Sequence, residues 1–237
     1  MPLAKVPVGT SASEGTRAPS FIKVLRSNNV IPEAVFLFGD IMSSQEANEL
    51  LVKSINNFDL ENLKLAYDNG ADINYDPSII WVKNEHGREF SVATDDSVFS
   101  NALWNLGIEI VESENEDIRK ELENKAFPIV RFCVEHGIWL NTHYTSRRDF
   151  TETCFAISNY VKCNSEKILS YLLENGLNPN TRIDGIYTIC DDLHDEAHYD
   201  ESEHPDWAPF EFKMLEVLRR HGGKYSKEIL TEQEPSK

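Results

Sequence analysis

Long apolar runs are absent from this chain. No stretch reaches the ~18–20 apolar residues of a membrane span. The first twenty residues, MPLAKVPVGTSASEGTRAPS, lack the apolar middle of a signal peptide and read as a disordered leader. Cysteine is sparse: Cys133, Cys154, Cys163 and Cys190 form no C-x-x-C pair. That excludes zinc-ribbon spacing and a dense disulfide scaffold, and points to reduced, buried thiols in a cytoplasmic protein. Basic charge is in deficit. Lys and Arg number 23 against 40 Asp and Glu, a net charge of −17. Such a surface repels phosphate backbones and anionic membranes, so neither direct nucleic-acid binding nor membrane attachment is expected. The motifs of catalysis are missing as well. There is no G-x-S-x-G elbow, no phosphate loop and no G-x-G-x-x-G.

What the chain does have is an internal repeat. Four segments follow one pattern: LENLKLAYDNGADIN at 60–74, AFPIVRFCVEHGIWLN at 126–141, SEKILSYLLENGLNPN at 165–180 and EFKMLEVLRRHGGKYS at 211–226. They align on Gly70, Gly137, Gly176 and Gly222. Seven residues earlier stand Leu63, Val130, Leu169 and Leu215, and four earlier Ala66, Cys133, Leu172 and Leu218. Apolar positions three apart define one helix face, and the glycine is a left-handed stop. Immediately before it come Asn69, His136, Asn175 and His221; four after it come Asn74, Asn141, Asn180 and Ser226, which suit a turn. A partner helix is expected ahead of each copy, at 43–58, 96–108, 150–161 and, less clearly, 185–199.

These residues resemble the ankyrin-repeat family. The stretch NFDLENLKLAYDNGADIN at 57–74 is similar to that family's second-helix motif, matching at Leu60, Glu61, Lys64, Gly70, Ala71, Asp72 and Asn74. Phe58 stands where a glycine is usual. The third copy keeps Leu172, Leu173, Gly176 and Asn180. The family's first-helix opening is worn: Thr151 and Ala156 fit its ends, but Glu152 and Cys154 occupy its Pro and His positions. Glycine spacings of 67, 39 and 46 residues, against about 33 in the family, require insertions. The resemblance covers about residues 43–230. It implies a mostly α, ankyrin-like helix-pair solenoid of about four degenerate repeats, with an inserted β-hairpin and an N-terminal cap.

The insertion at 75–95 reads as that hairpin. Ile79, Ile80, Trp81 and Val82 favour one strand, Phe90, Ser91 and Val92 the other, and 84–87 the turn. Residues 21–42 read as the cap and 231–237 as a frayed tail. The charged stretch at 109–123 is expected to lengthen the second helix of the second pair.

Three functional readings follow. In the first, the chain is a non-enzymatic module that binds a basic protein partner without cofactor or metal. The resemblance implies that loop tips and first helices form the binding face. Trp139 is the aromatic exception at a position where the other copies carry Asp72, Asn178 and Lys224. It is either packed on the insertion or an exposed anchor. His143, Tyr144, Arg147 and Arg148 make a basic and aromatic spot beside it; His86 and Arg88 on the hairpin complete the face. In the second, an inhibitor or immunity-type protein uses its acidity to mimic nucleic acid. In the third, a metal-dependent hydrolase uses His194 and His198, four apart on one helix face, with His204 or an acid as third ligand. They lie in an acidic stretch at 191–206 that reads more simply as a solvated insertion between helices. Cys154 and Trp104 both fall on apolar helix positions and are expected in the core.

Overall fold

A helix can end only where its last carbonyls find new donors. Four helices of this chain end in the same way, on glycines in the left-handed region: Gly70 at φ +88°, Gly137 at +84°, Gly176 at +103° and Gly222 at +87°. The residue after each glycine donates its N–H to the carbonyl four residues before the glycine. Ala71 reaches Ala66, Ile138 reaches Cys133, Leu177 reaches Leu172 and Gly223 reaches Leu218. The polar residue ahead of the glycine turns back on its own helix. Asn69 Nδ2 donates to the Leu65 carbonyl at 2.8 Å, His136 Nδ1 to Phe132 at 2.7 Å and Asn175 Nδ2 to Tyr171 at 2.8 Å. Asn and His therefore recur there as short donors that add a second bond to a last-turn carbonyl already accepting their own backbone N–H.

The computed structural model describes residues 42–77, 79–83, 89–93, 97–145, 153–183 and 187–233, all within one compact unit, Asp40–Lys237. The leader, residues 21–41 of the cap and the last four residues lie outside the described residues. The described chain is mostly helical. Four pairs follow in order: α1 (Ser44–Asn56) with α2 (Leu60–Asp68), α3 (Val98–Glu112) with α4 (Glu116–Glu135), α5 (Ala156–Val161) with α6 (Glu166–Glu174), and α7 (Ile189–Glu203) with α8 (Ala208–Arg220), before a last helix α9 (Ser226–Gln233). Side-chain caps set the starts. Ser43 with Glu46 and Thr188 with Asp191 form capping boxes, and Asp59, Ser97, Asn115 and Ser165 cap α2, α3, α4 and α6.

The second helices are successive neighbours, α2 on α4, α4 on α6 and α6 on α8; among the first helices α1 meets α3 and α3 meets α5. The aligned apolar positions face inward as expected. Leu63, Val130 and Leu169, and Ala66, Cys133, Leu172 and Leu218, are wholly buried, Leu215 nearly so. With Leu51, Leu103, Leu106, Ile157 and Leu193 they form one continuous cluster, and Met42 packs against it.

Among the described residues three antiparallel strand pairs lie in the connections between helix pairs: β1 (Ile79–Lys83) with β2 (Glu89–Ala93), β3 (His143–Thr145) with β4 (Thr153–Phe155), and β5 (Arg182–Ile183) with β6 (Tyr187–Thr188). In the first, Ile79 stands opposite Ala93 and Lys83 opposite Glu89. Strand β2 neighbours β3, and β4 neighbours β5.

Several expectations are corrected. The third first-helix begins at Ala156, not 150, because Thr153–Phe155 pairs with His143–Thr145; Cys154 therefore lies on a strand, opposite Tyr144. Thr and Phe suit a strand, and backbone pairing across the loop overrides the apolar helix period. Residues 109–112 finish α3 rather than starting α4. Asn115 accepts from the Asp117 N–H at 2.8 Å and caps a new helix there. The stretch at 191–206 is no insertion between helices: most of it is α7 itself, which buries Ile189, Cys190, Leu193 and Ala197. Residues 231–233, assigned to the tail, complete α9.

Two glycines act through space, not through φ: a Cβ on Gly223 would meet the Leu218 carbonyl oxygen at 2.8 Å, and Gly107 is tighter still. Gly107 lies within α3, where a Cβ would sit 1.7 Å from the Lys162 carbonyl oxygen and 2.8 Å from its carbon. Gly107→Ala is expected to cost about 3 kcal/mol or more, since only backbone movement makes room. Gly70→Ala, with nothing within 4 Å of the new Cβ, is expected to cost only the left-handed strain of about 1 kcal/mol. Urea denaturation of the two variants measures the difference.

Candidate functional site

The asparagines four residues after each glycine do more than shape a turn. Asn74 Nδ2 donates to the Gly137 carbonyl at 3.1 Å, while its Oδ1 accepts the Trp139 N–H at 2.7 Å. Asn141 does the same for the next copy, with Gly176 at 2.9 Å and the Asn178 N–H at 2.8 Å. Asn180 repeats it with Gly222 at 3.1 Å and the Lys224 N–H at 2.8 Å. At the first copy, Oδ1 of Asn48 on α1 takes the Asp72 N–H at 2.9 Å. Each side-chain amide thus clamps the loop of one pair to the loop of the next, with donor and acceptor used together.

Asp72, Trp139, Asn178 and Lys224 therefore hold equivalent places in one row. Asp72 and Asn178 spend their side chains locally, accepting the N–H groups of Asn74 and Asn180 at 3.0 Å each. An indole cannot accept that bond. Trp139 is 64% exposed, so of the two readings the structure selects the exposed ring. An open cavity of about 560 Å³ adjoins it, lined by Leu140, Asn141, Asn175 and Gly176 among others. His143 and Tyr144 start strand β3, opposite Phe155 and Cys154. Arg147, Arg148, His86 and Arg88 lie outside the described residues.

The other candidates resolve as follows. His194 and His198 share a face of α7 with ring centroids 4.4 Å apart, edge to face. His194 Nδ1 lies 3.4 Å from Asp195, and His198 Nδ1 lies 3.5 Å from Glu201. Among the described residues no group of three His, Cys, Asp or Glu side chains is placed to hold a metal ion. Cys133, Cys163 and Cys190 are free and buried. Burial pushes their thiols up to about 12, 12 and 11, so they are protonated and poor nucleophiles at neutral pH.

A second cavity was not visible in the sequence. It measures about 660 Å³ and is lined by Trp104, Lys162, Glu196, Asp200, Trp207 and Glu211 among others. Trp104, expected in the core, is only partly buried. Lys162 stands 5.0 Å from its ring centroid with Nζ 2.8 Å from Glu196 Oε1. Glu211 on α8 is 6% exposed. Burial, with the negative charges of Asp200 and Glu196 adding to it, pushes its carboxyl up to about 7, against the opposing pull of Lys162. The available sequence signal was the spacing of Glu196 and Asp200, four apart on one helix face. The approach of α3 and α8 to that face is tertiary.

A raised carboxyl binds a proton more tightly in the folded state. Stability therefore falls as pH rises from the ordinary value near 4.5 to about 7, then levels off. Glu211→Gln is expected to remove this decline and to be as stable as the parent or more so at pH 8, read from urea midpoints across pH 4.5–8.

Asn141→Ala cuts both bonds between the second and third loops. It is expected to cost about 1–2 kcal/mol, two exposed hydrogen bonds' worth, with Asn141→Asp losing less because its acceptor survives; thermal melts rank the two. Comparison of the chain with protein-family models and with curated proteins yields no match.

Proposed function

We propose that the chain is a non-enzymatic, ankyrin-like helix-pair solenoid whose loop edge binds a basic protein partner in the cytoplasm. Support for the fold half comes from the four left-handed glycine stops, the order of neighbouring second helices and the hairpins in the connections. Phe58 adds to it. It adopts φ +51°, a left-handed conformation that glycine takes most readily, at the position where the resembled motif carries a glycine.

The observation that carries the functional half is Trp139. A large aromatic ring stands exposed on a backbone already fixed by the Asn74 clamp. A rigid exposed indole loses little conformational freedom on association, which is the profile of an interface anchor. The charge of −17 selects for basic partners and speeds their encounter. In the sequence Arg147 and Arg148 follow eight and nine residues after Trp139, a basic contrast within an acidic chain. Among the described residues no helix is long and apolar enough to cross a membrane.

The test is affinity capture from native cells with the parent chain and with Trp139→Ala/Arg147→Ala/Arg148→Ala. The triple variant is expected to lose the partners that the parent retains while melting within a degree or two of it. Retention of the same partners refutes the loop edge as the binding face. Repeating the capture across salt concentrations separates this reading from nucleic-acid mimicry. An anchor-led interface weakens shallowly with salt, whereas a mimic of the phosphate backbone weakens steeply.

A further inference from the structure

The cavity between α3, α7 and α8 has the composition of a cation site. Acids outnumber the lysine: Asp195, Glu196, Asp200 and Glu211 line it against Lys162. Oε2 of Glu196 and Oε2 of Glu211 are buried without a donor, and Glu211 meets the Asp200 carboxylate, with which it can share a bond only while one of the two holds a proton. An unsatisfied buried acceptor is costly, and two in one cavity call for a donor from outside. The protein already displays the recognition mode with its own cation. Lys162 sits over the Trp104 indole and on the Glu196 carboxylate at once. Trp207 and Glu211 offer the same two elements, an indole and a carboxyl, on the α8 side of the cavity.

A guanidinium suits this arrangement better than an ammonium. It is planar, stacks on indoles, and carries five N–H donors in a fixed fork, so that one group can serve two carboxylates. We propose that this cavity is a binding site for the guanidinium of an arginine side chain, presented by the basic partner protein. The assignment rests on the reading of the chain as a binder of basic proteins and adds the side chain that would be recognised. It concerns a different cavity from the one beside Trp139.

Binding couples to protons. A guanidinium against Glu211 favours its ionised form, so association near pH 7 releases a proton and strengthens as pH rises through 7. The groups facing Glu211 are Asp200 and Glu196 from α7 and Lys162 from the end of α5; Asp195, Tyr199 and His204 complete the titratable lining.

The experiment titrates the full chain with a Gly-Gly-Arg-Gly-Gly peptide, with free arginine and with N-acetyl-citrulline amide, which has the shape without the charge. Calorimetry in two buffers of different ionisation enthalpy reads affinity and proton release. The expected result is saturable one-to-one binding of the peptide, none of citrulline, and a loss of about tenfold or more in Glu211→Gln. Asp200→Asn is expected to weaken binding in the same direction and serves if Glu211→Gln does not fold. Equal binding of citrulline, no saturable binding of the peptide, or unchanged affinity in both acid variants overturns the site. Binding of free arginine with a silent peptide assigns the site to a metabolite and overturns the partner. No captured protein enters this test, so its failure is distinct from failure of the loop edge.

Discussion

A single side-chain amide, bonded twice, sets the spacing of this molecule. Asn74, Asn141 and Asn180 each offer Nδ2 to the glycine carbonyl of the following pair and Oδ1 to an N–H two residues beyond that glycine. Apolar contact between helices is tolerant of sliding; a clamp with one donor and one acceptor is not. The glycine stop is what makes its carbonyl available, since the left-handed turn leaves it pointing out of the helix that has just ended. Helix termination and loop-to-loop registration are thus one device. Replacing the asparagine with any residue that has only a donor or only an acceptor would break half of it.

The hydrophobic cluster supplies the bulk of the holding energy and follows from the same alignment. The residue four before each glycine, Ala66, Cys133, Leu172 or Leu218, is wholly buried, and its carbonyl also receives the bond that closes the helix. Ionic contacts add cross-links on the wet side. Glu166 at the start of α6 receives Arg220 at 2.8 Å and Lys213 at 3.5 Å from α8. Ser165 caps α6 and donates to Glu123 of α4, so one hydroxyl both starts a helix and fastens it to its neighbour.

The second helices and their stops were legible in the sequence because helix periodicity and left-handed glycine are local physics. The residues Leu63, Val130, Leu169 and Leu215 needed no tertiary information. The hairpin strands at 143–145 and 153–155 were not legible. Thr153 and Phe155 also fit a helical face, and only pairing across the loop decides between them. The asparagines were legible as turn residues but not as clamps, since the partners that they hold lie 35 to 65 residues away. Trp139 was flagged by its mismatch with the other copies. Glu211 was hidden by its place on an apolar-patterned helix, where a single acid reads as exposed; its burial is created by α7 and by the chain following α5.

The row of amides has an end, and the end is chemically different. Ser226 replaces the fourth asparagine; its N–H goes to Asp191 Oδ2 at 2.9 Å, and the Lys224 carbonyl is taken by Thr188 Oγ1 at 2.8 Å. The capping box that opens α7 thereby also seals the last loop, and α9 begins at that point. The last loop is therefore held from two directions, to the third pair by the Asn180 amide and to the start of its own first helix by Asp191 and Thr188.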